Sequence, residues 1–355
     1  MSLIREGAIE FETEGAFYNP RMILNRDICV AMAGSLGLSE YLDALSATGI
    51  RGLRVAGEAG VQKVALNDIS PQATALMQAN AAKNALNCTI YCKSANVLLH
   101  ERHFQAVDLD PFGSPSPYIT AASRSALSYL FITATDTAPL CGAHFSSGVR
   151  KYMARPLRTG YHREMGARVL LGLAARELAR WDKGLSPLLT HVTDHYVRIY
   201  LSVVKGAKAA DRSLDGMGYV EHCFACGSFK LLDGPSPGGV CLHCQGRTEV
   251  GGPLWLGPLH DRQAIAAALS WGISRKMLSR RAEKILSCCA QEIDAPMYYD
   301  YHSICDRLAI TPGKIDHAVE RLRHSGRSAS RTHFLGLGIK TDASLADVEE
   351  AVKLR

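Results

Sequence analysis

The chain has 355 residues, of which 47% are hydrophobic and 21% are charged, so it can bury a sizeable core and is not intrinsically disordered. Its formal net charge is only +6, but residues 150–212 hold 13 Lys and Arg against five Asp and Glu, which is typical of a polyanion-binding surface or of a solvated helical face. No run of about 18 apolar residues occurs, and the opening residues lack the apolar segment of a signal peptide. We therefore expect a cytoplasmic protein without a membrane span. In such a chain, eleven cysteines indicate thiols or metal ligands, not a disulfide framework.

Predicted strands and helices alternate through the first 135 residues. The strands are expected at 41–45, 63–67, 89–92, 106–110 and 130–135, and the helices at 21–36, 53–59, 71–84 and 118–128. This alternation predicts an α/β fold with a parallel sheet and right-handed crossovers. A long helix is expected at 163–183, followed by a strand pair or a bulged strand at 187–204.

The polar, small-residue stretch 205–211 marks a predicted boundary. Beyond it the composition changes to cysteine pairs, then to glycine- and proline-rich loops, and then to helices from about residue 261. We therefore divide the chain into a first domain over 1–212 and a smaller second domain over 213–355.

Two acidic residues lie on the first two predicted strands, Asp43 within the first and Asp68 at the end of the second. Asp43 and Asp68 would lie at the carboxyl edge of the sheet, where open α/β sheets bind their ligands, and a carboxylate there can accept both hydroxyls of a ribose. The glycine triplet of dinucleotide sites is absent, and only Gly49 and Gly52 are present. A cofactor with ribose and adenine but no pyrophosphate fits this pattern, which indicates S-adenosylmethionine. Arg26 and Arg51 are candidates for holding its carboxylate.

Asp110, Pro111 and Phe112 follow the fourth predicted strand. A carboxylate and a proline carbonyl can accept the two hydrogens of an exocyclic amine, while an aromatic ring stacks on the base that carries it. The base would have to be flipped out of its stack, and Phe112 and Phe17 are the candidate stacking rings. The alternative is a simple strand-to-loop turn with a buried phenylalanine, since Asp-Pro is also a common turn signal.

A cysteine quartet follows the predicted boundary. Cys223 and Cys226 form one C-x2-C pair, and Cys241 and Cys244 form a second pair after a 14-residue spacer. Four thiolates close a tetrahedron around Zn²⁺ and leave no open position, so the spacing predicts a structural zinc site. The alternative is four ordinary thiols.

The C-terminal region resembles a helix-turn-helix followed by a strand. Helices are expected at 303–309 and 314–324 and a strand at 328–334, which together predict a winged-helix-like arrangement. A phosphate-facing side of it would carry Arg321, Arg323, Arg327 and Arg331. Such a helix would grip the backbone and shape of RNA, because the major groove of RNA is too narrow to be read. A helical hairpin used only for packing is the alternative.

Nine segments together resemble the tRNA guanine-26 N2-methyltransferases, which make N2,N2-dimethylguanosine, and the archaeal members are the most similar in length. The segments are FYNPRM (17–22), NRD (25–27), DALSATGIRG (43–52), NDIS (67–70), DPFGSP (110–115), ATDTAPLCG (134–142), RKY (150–152), GPLWLGPL (252–259) and SRTHF (330–334). The resemblance spans nearly the whole chain.

The resemblance implies a class I, Rossmann-like methyltransferase domain followed by a smaller domain that helps to grip tRNA. It implies Asp110 as the catalytic carboxylate, with Phe17 and Phe112 around the base. Cofactor contacts are implied at Arg26, Arg51 and Asp68, and at Ser94 and Ala95 beside the adenine. Ser94 departs from the acidic residue that the family has before this alanine, and Leu337 stands where the family has a proline.

The predicted activity is therefore transfer of one or two methyl groups from S-adenosylmethionine to N2 of guanine in tRNA, with tRNA as the partner and no protein partner evident. One alternative is an amino-methyltransferase acting on another base or on DNA. The other is a non-catalytic zinc-ribbon and winged-helix nucleic-acid-binding protein. Intact Asp68 and Asp110 argue against the second alternative, and Gly113 argues against the first.

Overall fold

A seven-stranded sheet lies at the centre of the computed structural model, which describes residues 3–353. The strands are β1 (Ile4–Glu6), β2 (Ile9–Phe11), β3 (Glu40–Asp43), β4 (Lys63–Asp68), β5 (Cys88–Cys92), β6 (Phe104–Leu109), β7 (Ala126–Ala134), β8 (Lys183–Thr193), β9 (Tyr196–Lys205), β10 (Met217–Cys223), β11 (Phe229–Leu232), β12 (Thr248–Trp255), β13 (Tyr299–Asp300), β14 (Ala329–Arg331) and β15 (Gly338–Thr341). The helices are α1 (Ile23–Ser35), α2 (Ile50–Gly57), α3 (Pro71–Lys83), α4 (Ala95–Glu101), α5 (Ser116–Ser125), α6 (Thr137–Leu140), α7 (Phe145–Tyr152), α8 (His162–Ala179), α9 (Ala207–Asp215), α10 (Arg262–Ser274), α11 (Arg280–Gln291), α12 (Tyr301–Arg307), α13 (Ile315–His324) and α14 (Leu345–Lys353). A short 3-10 helix, Pro20–Met22, precedes α1.

The central sheet has the strand order β5-β4-β3-β6-β7-β9-β8. The first five strands are parallel, as the alternating pattern predicted, and Leu42 of β3 lies between Ala65 and Val107 of its two neighbours. Strands β9 and β8 then pair antiparallel, so the sheet is mixed and not parallel throughout. The region predicted as a strand pair or a bulged strand is both, since β8 and β9 form a hairpin with a bulge between Pro187 and Leu189.

The chain order reverses direction at the middle of the sheet. Strands β4 and β5 extend the sheet on one side of β3, whereas β6 and β7 extend it on the other. Open α/β sheets bind ligands outside the carboxyl ends of the two strands at such a switch point. Asp43 ends β3 and Asp110 comes directly after β6, so both predicted site carboxylates lie at this place.

Helices cover both faces of the sheet, and local signals fix where several of them begin. Pro71 occupies the first turn of α3, and the Ser70 side chain accepts a hydrogen bond from the Ala73 N–H as its cap. Helix α8 ends at Ala179, four residues before its predicted end, because Lys183 already belongs to β8. The Lys183 ammonium donates to the carbonyls of Ser123 and Arg124 at the end of α5 and of Ala126 at the start of β7, which fixes the beginning of β8 there.

The C-terminal half packs directly on the central sheet and its helices. The predicted boundary stretch runs into α9, which lies so close to β8 that a side chain at Gly184 would collide with the Ala209 carbonyl. Helix α10 packs on α1, where the Trp271 ring fills the space beside Gly34. The division at residue 212 stays a prediction.

Two smaller antiparallel sheets follow. Strands β11, β10 and β12 form one, and β13, β15 and β14 form the other, with α11 to α14 packed around the second. Among residues 3–353, no helix is both long and apolar enough to cross a membrane.

A buried carboxylate joins these elements to the edge of the sheet. His333 Nδ1 lies 2.5 Å and His260 Nε2 3.4 Å from the two Glu292 oxygens. The backbone N–H groups of Thr190 and Val192 on β8 donate to the other ring nitrogens of His260 and His333. The His333 ring therefore carries its proton on the side that faces Glu292, whereas His260 Nε2 and the second Glu292 oxygen have no hydrogen-bond partner in the described residues. Hydrogen bonds from β8 to His260 and His333, and from His333 to Glu292, thus connect the edge of the sheet to the C-terminal elements.

Candidate active site

A cavity of about 360 Å³ opens at the switch point of the sheet. The predicted site residues on its wall are Phe17, Arg26, Asp43, Arg51, Asp110, Pro111 and Phe112. The structure thus brings together seven side chains that are spread over almost a hundred residues of sequence. The turn after β3 contributes the floor with Ser46, Ala47 and Thr48.

Asp43 lies at the inner end of the cavity. Its Oδ2 accepts a hydrogen bond from the Gly52 N–H at 3.2 Å, whereas Oδ1 is buried without a hydrogen-bond partner in the described part of the chain. Burial raises the pKa of Asp43 to about 7, although the charge of Arg51 opposes this shift. An unsatisfied buried acceptor in a cavity wall fits a ligand that brings a donor.

Arg51 and Asp110 form an ion pair across the cavity. The Arg51 guanidinium is buried and also donates to Asn25 Oδ1 at 2.7 Å, while the Asp110 carboxylate is about one-fifth exposed. Burial alone would lower the pKa of Arg51, but the carboxylates of Asp110 and Asp108 raise it well above its usual range. Arg51, which was predicted to bind the cofactor, is therefore paired with Asp110, the predicted catalytic carboxylate.

The loop after Asp110 presents an aromatic ring at the cavity mouth. Gly113 has φ +90°, and its N–H and carbonyl bond to Thr135 at the end of β7, which fixes the turn. The Phe112 ring is 91% exposed and the Phe17 ring 62% exposed, and the two meet edge to face at 5.9 Å. The alternative of a buried turn phenylalanine is therefore wrong. Two exposed rings on one rim suit stacking against a planar ligand.

Arg26 reaches the cavity, but Glu6 already engages it. Its guanidinium donates to both Glu6 oxygens at 2.6 Å and to the Asn19 carbonyl at 3.2 Å. Glu6 also accepts from Arg54, so Arg26 belongs to a buried charge network beneath the cavity. This pairing leaves Arg26 less available for a cofactor carboxylate than its sequence position indicated.

Asp68 supports the cavity from behind. One carboxylate oxygen accepts from the Ala47 N–H at 3.0 Å, and the other accepts from the Ser70 N–H at 2.9 Å. Asp68 therefore fixes the turn that forms the cavity floor, and each oxygen keeps a lone pair for a further donor. Gly49, with φ +82°, begins α2 within the same turn.

Ser94 and Ala95 lie beyond the cavity wall, at the start of α4. The neighbouring Lys93 backbone exchanges two hydrogen bonds with the buried Asn67 side chain, which fixes this turn to the end of β4. The roles of Ser94 and Ala95 in adenine binding stay predictions.

The four predicted zinc ligands converge. Cys223 and Cys244 have their sulfurs 3.5 Å apart, Cys226 and Cys241 have theirs 3.6 Å apart, and all four sulfurs lie within 4.8 Å of one another. A tetrahedral zinc ion with Zn–S bonds of about 2.3 Å requires sulfurs roughly 3.8 Å apart. The donor set and its spacing therefore fit Zn²⁺.

Comparison with known proteins places the chain in a family. The family model described as N2,N2-dimethylguanosine tRNA methyltransferase matches residues 3–353. The chain belongs to this family. The resemblance read from the sequence is thereby confirmed.

Relatives from two archaea match this family member along most of their length. A tRNA (guanine(26)-N(2))-dimethyltransferase of Methanosarcina mazei is 47% identical, over 95% of this chain and 91% of the relative. One from Natronomonas pharaonis is 45% identical, over 98% of this chain and 96% of the relative. The solved structure of Trm1 from Pyrococcus horikoshii with S-adenosyl-L-methionine has a TM-score of 0.90 at 38% identity, covering 99% of this chain and 100% of that chain. The Rossmann-like architecture of the central sheet is thus that of the family.

The sequence did not point to one part of this family member's cavity. The tight turn between β8 and β9 adds Asp194, His195 and Tyr196 to the wall, and the Tyr196 hydroxyl is buried without a partner in the described residues. Behind it, Arg198 donates to both oxygens of the fully buried Asp108. The only sequence signal was a polar pair, Asp194 and His195, between two apolar runs.

Proposed function

We propose that this protein transfers methyl groups from S-adenosylmethionine to the exocyclic N2 of guanine 26 in tRNA. The observation that carries the proposal is the convergence of the Asp110-Pro111-Phe112 loop with the half-satisfied Asp43 in one cavity. Membership of the family and the names of its relatives support the same substrate and position.

The cavity residues fit the cofactor. Asp43 Oδ1 would accept from its ammonium group, and Arg51 would bind its carboxylate. Asp68 stands at the end of the next strand, where a ribose would be expected. When bound, S-adenosylmethionine supplies an electrophilic methyl carbon on a sulfonium.

Asp110 would prepare the attacking nitrogen. The lone pair of an aromatic exocyclic amine is delocalised into the ring, so the nitrogen is a poor nucleophile. The Asp110 carboxylate and the Pro111 carbonyl would accept its two hydrogens and direct the lone pair into the cavity. The carboxylate can then accept the proton that the amine must lose, while Phe112 and Phe17 hold the flipped base.

Analysis of nucleosides tests this function directly. An unmodified tRNA transcript would be incubated with the protein and S-adenosylmethionine, digested, and examined by mass spectrometry for mono- and dimethylguanosine. A transcript with adenosine at position 26 is the matched control. Methylation of both transcripts would contradict the assigned position, and methylation of neither would contradict the function.

We also propose a structural zinc ion at the four cysteines. The two cysteine turns come from the end of β10 and from the loop between β11 and β12, so a shared ion would join them into one unit. Its donor set is complete, which leaves no position for a substrate.

The winged-helix reading of the C-terminal region remains our proposal, as does a second domain over 213–355. The winged-helix arrangement is supported by the element order α11, β13, α12, α13, β14, β15 and by the single sheet that β13, β14 and β15 form. The arginines predicted to face phosphates are partly engaged within this region, since Arg331 pairs with Asp316 and Arg327 with Asp347. We therefore propose that this region recognises the shape of the tRNA, because its paired arginines are less available to bind phosphates.

A further inference from the structure

Helix α7 and the loop after it form an exposed surface without negative charge. Residues 137–163 contain no Asp or Glu, and their basic residues are Arg150, Lys151, Arg155, Arg158 and Arg163. Three apolar side chains on the same segment are also exposed: Phe145 (46%), Val149 (38%) and Met153 (67%). Their four-residue spacing places them on one side of the chain. Single-stranded RNA suits such a surface, because its phosphates pair with cations and its unstacked bases pack on apolar side chains.

Hydrogen bonds connect this helix to the catalytic loop. The Tyr152 hydroxyl donates to Asp136 Oδ1 at 2.5 Å and lies 3.0 Å from the Ser114 hydroxyl. Ser114 follows Phe112 by two residues, and Asp136 follows Thr135 of the cavity wall. Helix α7 is therefore held against the loop that presents Phe112 at the cavity mouth.

Three arginines of this surface form no salt bridge within residues 3–353, and one of them, Arg163, donates instead to the Phe334 carbonyl at 3.3 Å. Lys151 pairs with Asp136, and Arg155 pairs with Glu249, whereas Arg150 and Arg158 are exposed and have no such acidic partner. Guanidinium groups left in water beside an RNA-modifying site are available for phosphates.

The surface continues into a groove beside the cysteine cluster. A cavity of about 350 Å³ is lined by Arg158 and Gly160, by the turn at Phe224 and Gly227, and by Arg307 of α12. The Phe224 ring is 50% exposed. Arg158 lies in the loop that follows α7 and also lines this groove, so the helix and the groove are adjacent.

We propose that this strip, defined as Phe145, Val149, Arg150, Met153, Arg158 and Phe224, binds the nucleotides that flank the methylated guanine in the substrate tRNA. The inference rests on the proposed function and deepens it by assigning the surface that holds the RNA outside the catalytic cavity. Arg150 and Arg158 contact phosphates, and the apolar members of the strip pack against unstacked bases or sugars.

A double variant, Arg150→Ala with Arg158→Ala, tests the strip. The matched control is Lys208→Ala with Arg212→Ala, which removes the same charge from exposed positions on α9. Fluorescence anisotropy would measure the Kd for an unmodified tRNA transcript at several salt concentrations, beside the kcat at saturating tRNA and the Kd for S-adenosylmethionine. We expect the strip variant to bind tRNA at least about tenfold more weakly and to lose about 1.5 from the slope of log Kd against log salt, since two phosphate contacts disappear.

The strip variant keeps the wild-type kcat and cofactor affinity, and the control variant keeps all four values. A second variant, Met153→Ser, weakens tRNA binding without changing the salt slope.

An equal loss of tRNA affinity in the strip and control variants, or a fall in kcat with unchanged tRNA affinity, would overturn the proposal. So would loss of self-association by light scattering with tRNA binding intact, which assigns the strip to a second copy of the chain. If the wild-type protein fails to methylate tRNA but the two variants still differ in tRNA affinity, the proposed activity fails and the binding surface stands.

Discussion

Asp110 carries the proposed chemistry, and its carboxylate is paired with Arg51 inside the cavity. Arg51 is also the residue best placed to bind a cofactor carboxylate, because Arg26 is already neutralised by Glu6. One guanidinium thus faces two carboxylates with different roles. Removal of Asp110 should separate those roles.

For Asp110→Ala we expect kcat to fall by roughly 10² to 10⁴, the range for loss of a positioned proton acceptor. The Kd for S-adenosylmethionine should stay within a few-fold of the wild-type value or become lower, because Arg51 loses a competing partner. Single-turnover methylation and calorimetry measure the two quantities. Comparable loss of both would make Asp110 a cofactor-binding residue and not a catalytic one.

The ionisation of Asp43 should appear in cofactor binding. Burial raises its pKa to about 7, so below pH 7 the group is mostly protonated and accepts an ammonium poorly. We expect affinity for S-adenosylmethionine to be on the order of tenfold weaker at pH 6 than at pH 8. Calorimetry across this range tests it, with Asp43→Asn expected to abolish the dependence. A wild-type profile that is flat between pH 6 and 8 would exclude Asp43 from this contact.

At the scale of elements, the sequence located the five parallel strands and the cysteine turns because their signals are local. Asp110 and Phe112 could be placed at a strand end for the same reason. The pairing of Arg26 with Glu6 and of Arg198 with Asp108 could not be predicted, because these partners lie 20 and 90 residues apart. The β8–β9 turn was missed at the cavity because no local pattern shows which strand lies next to β7.

The cysteine turns give a prediction of their own. We expect about one zinc ion per chain in the purified protein, and its removal by a chelator should lower the melting temperature by at least about 5 °C, since metal binding stabilises only the folded state. Cys244→Ser should lose most of the zinc, whereas Cys92→Ser, at another exposed cysteine, should retain it. Elemental analysis and calorimetric melting measure both effects. A wild-type protein without zinc, or equal zinc in both variants, would contradict the site.

At the scale of the whole molecule, buried histidines make stability depend on pH. Burial lowers the pKa of His260, although Glu292 opposes this, and it lowers the pKa of His191 well below its usual range. As pH falls below about 6.5, the unfolded chain therefore takes up protons at these positions that the folded chain does not, and folding is destabilised. Asp43 acts in the opposite direction, because its raised pKa lets the folded state bind the extra proton between about pH 4 and 7.

Burial also lowers the pKa of His222 to about 4 and raises the pKa of Asp27, so three buried histidines oppose two carboxylates. We therefore expect the free energy of unfolding to fall between pH 6.5 and pH 5, with each neutral histidine contributing about 1.4 kcal/mol per pH unit at most. Urea unfolding at several pH values measures it. His260→Gln should reduce the pH dependence, because the substituted side chain does not titrate. His302→Gln, at an exposed position, should leave the dependence unchanged. His260 connects the edge of the sheet to the C-terminal elements. An unchanged pH dependence in His260→Gln would mean that the His260 imidazole is not kept neutral in the folded protein.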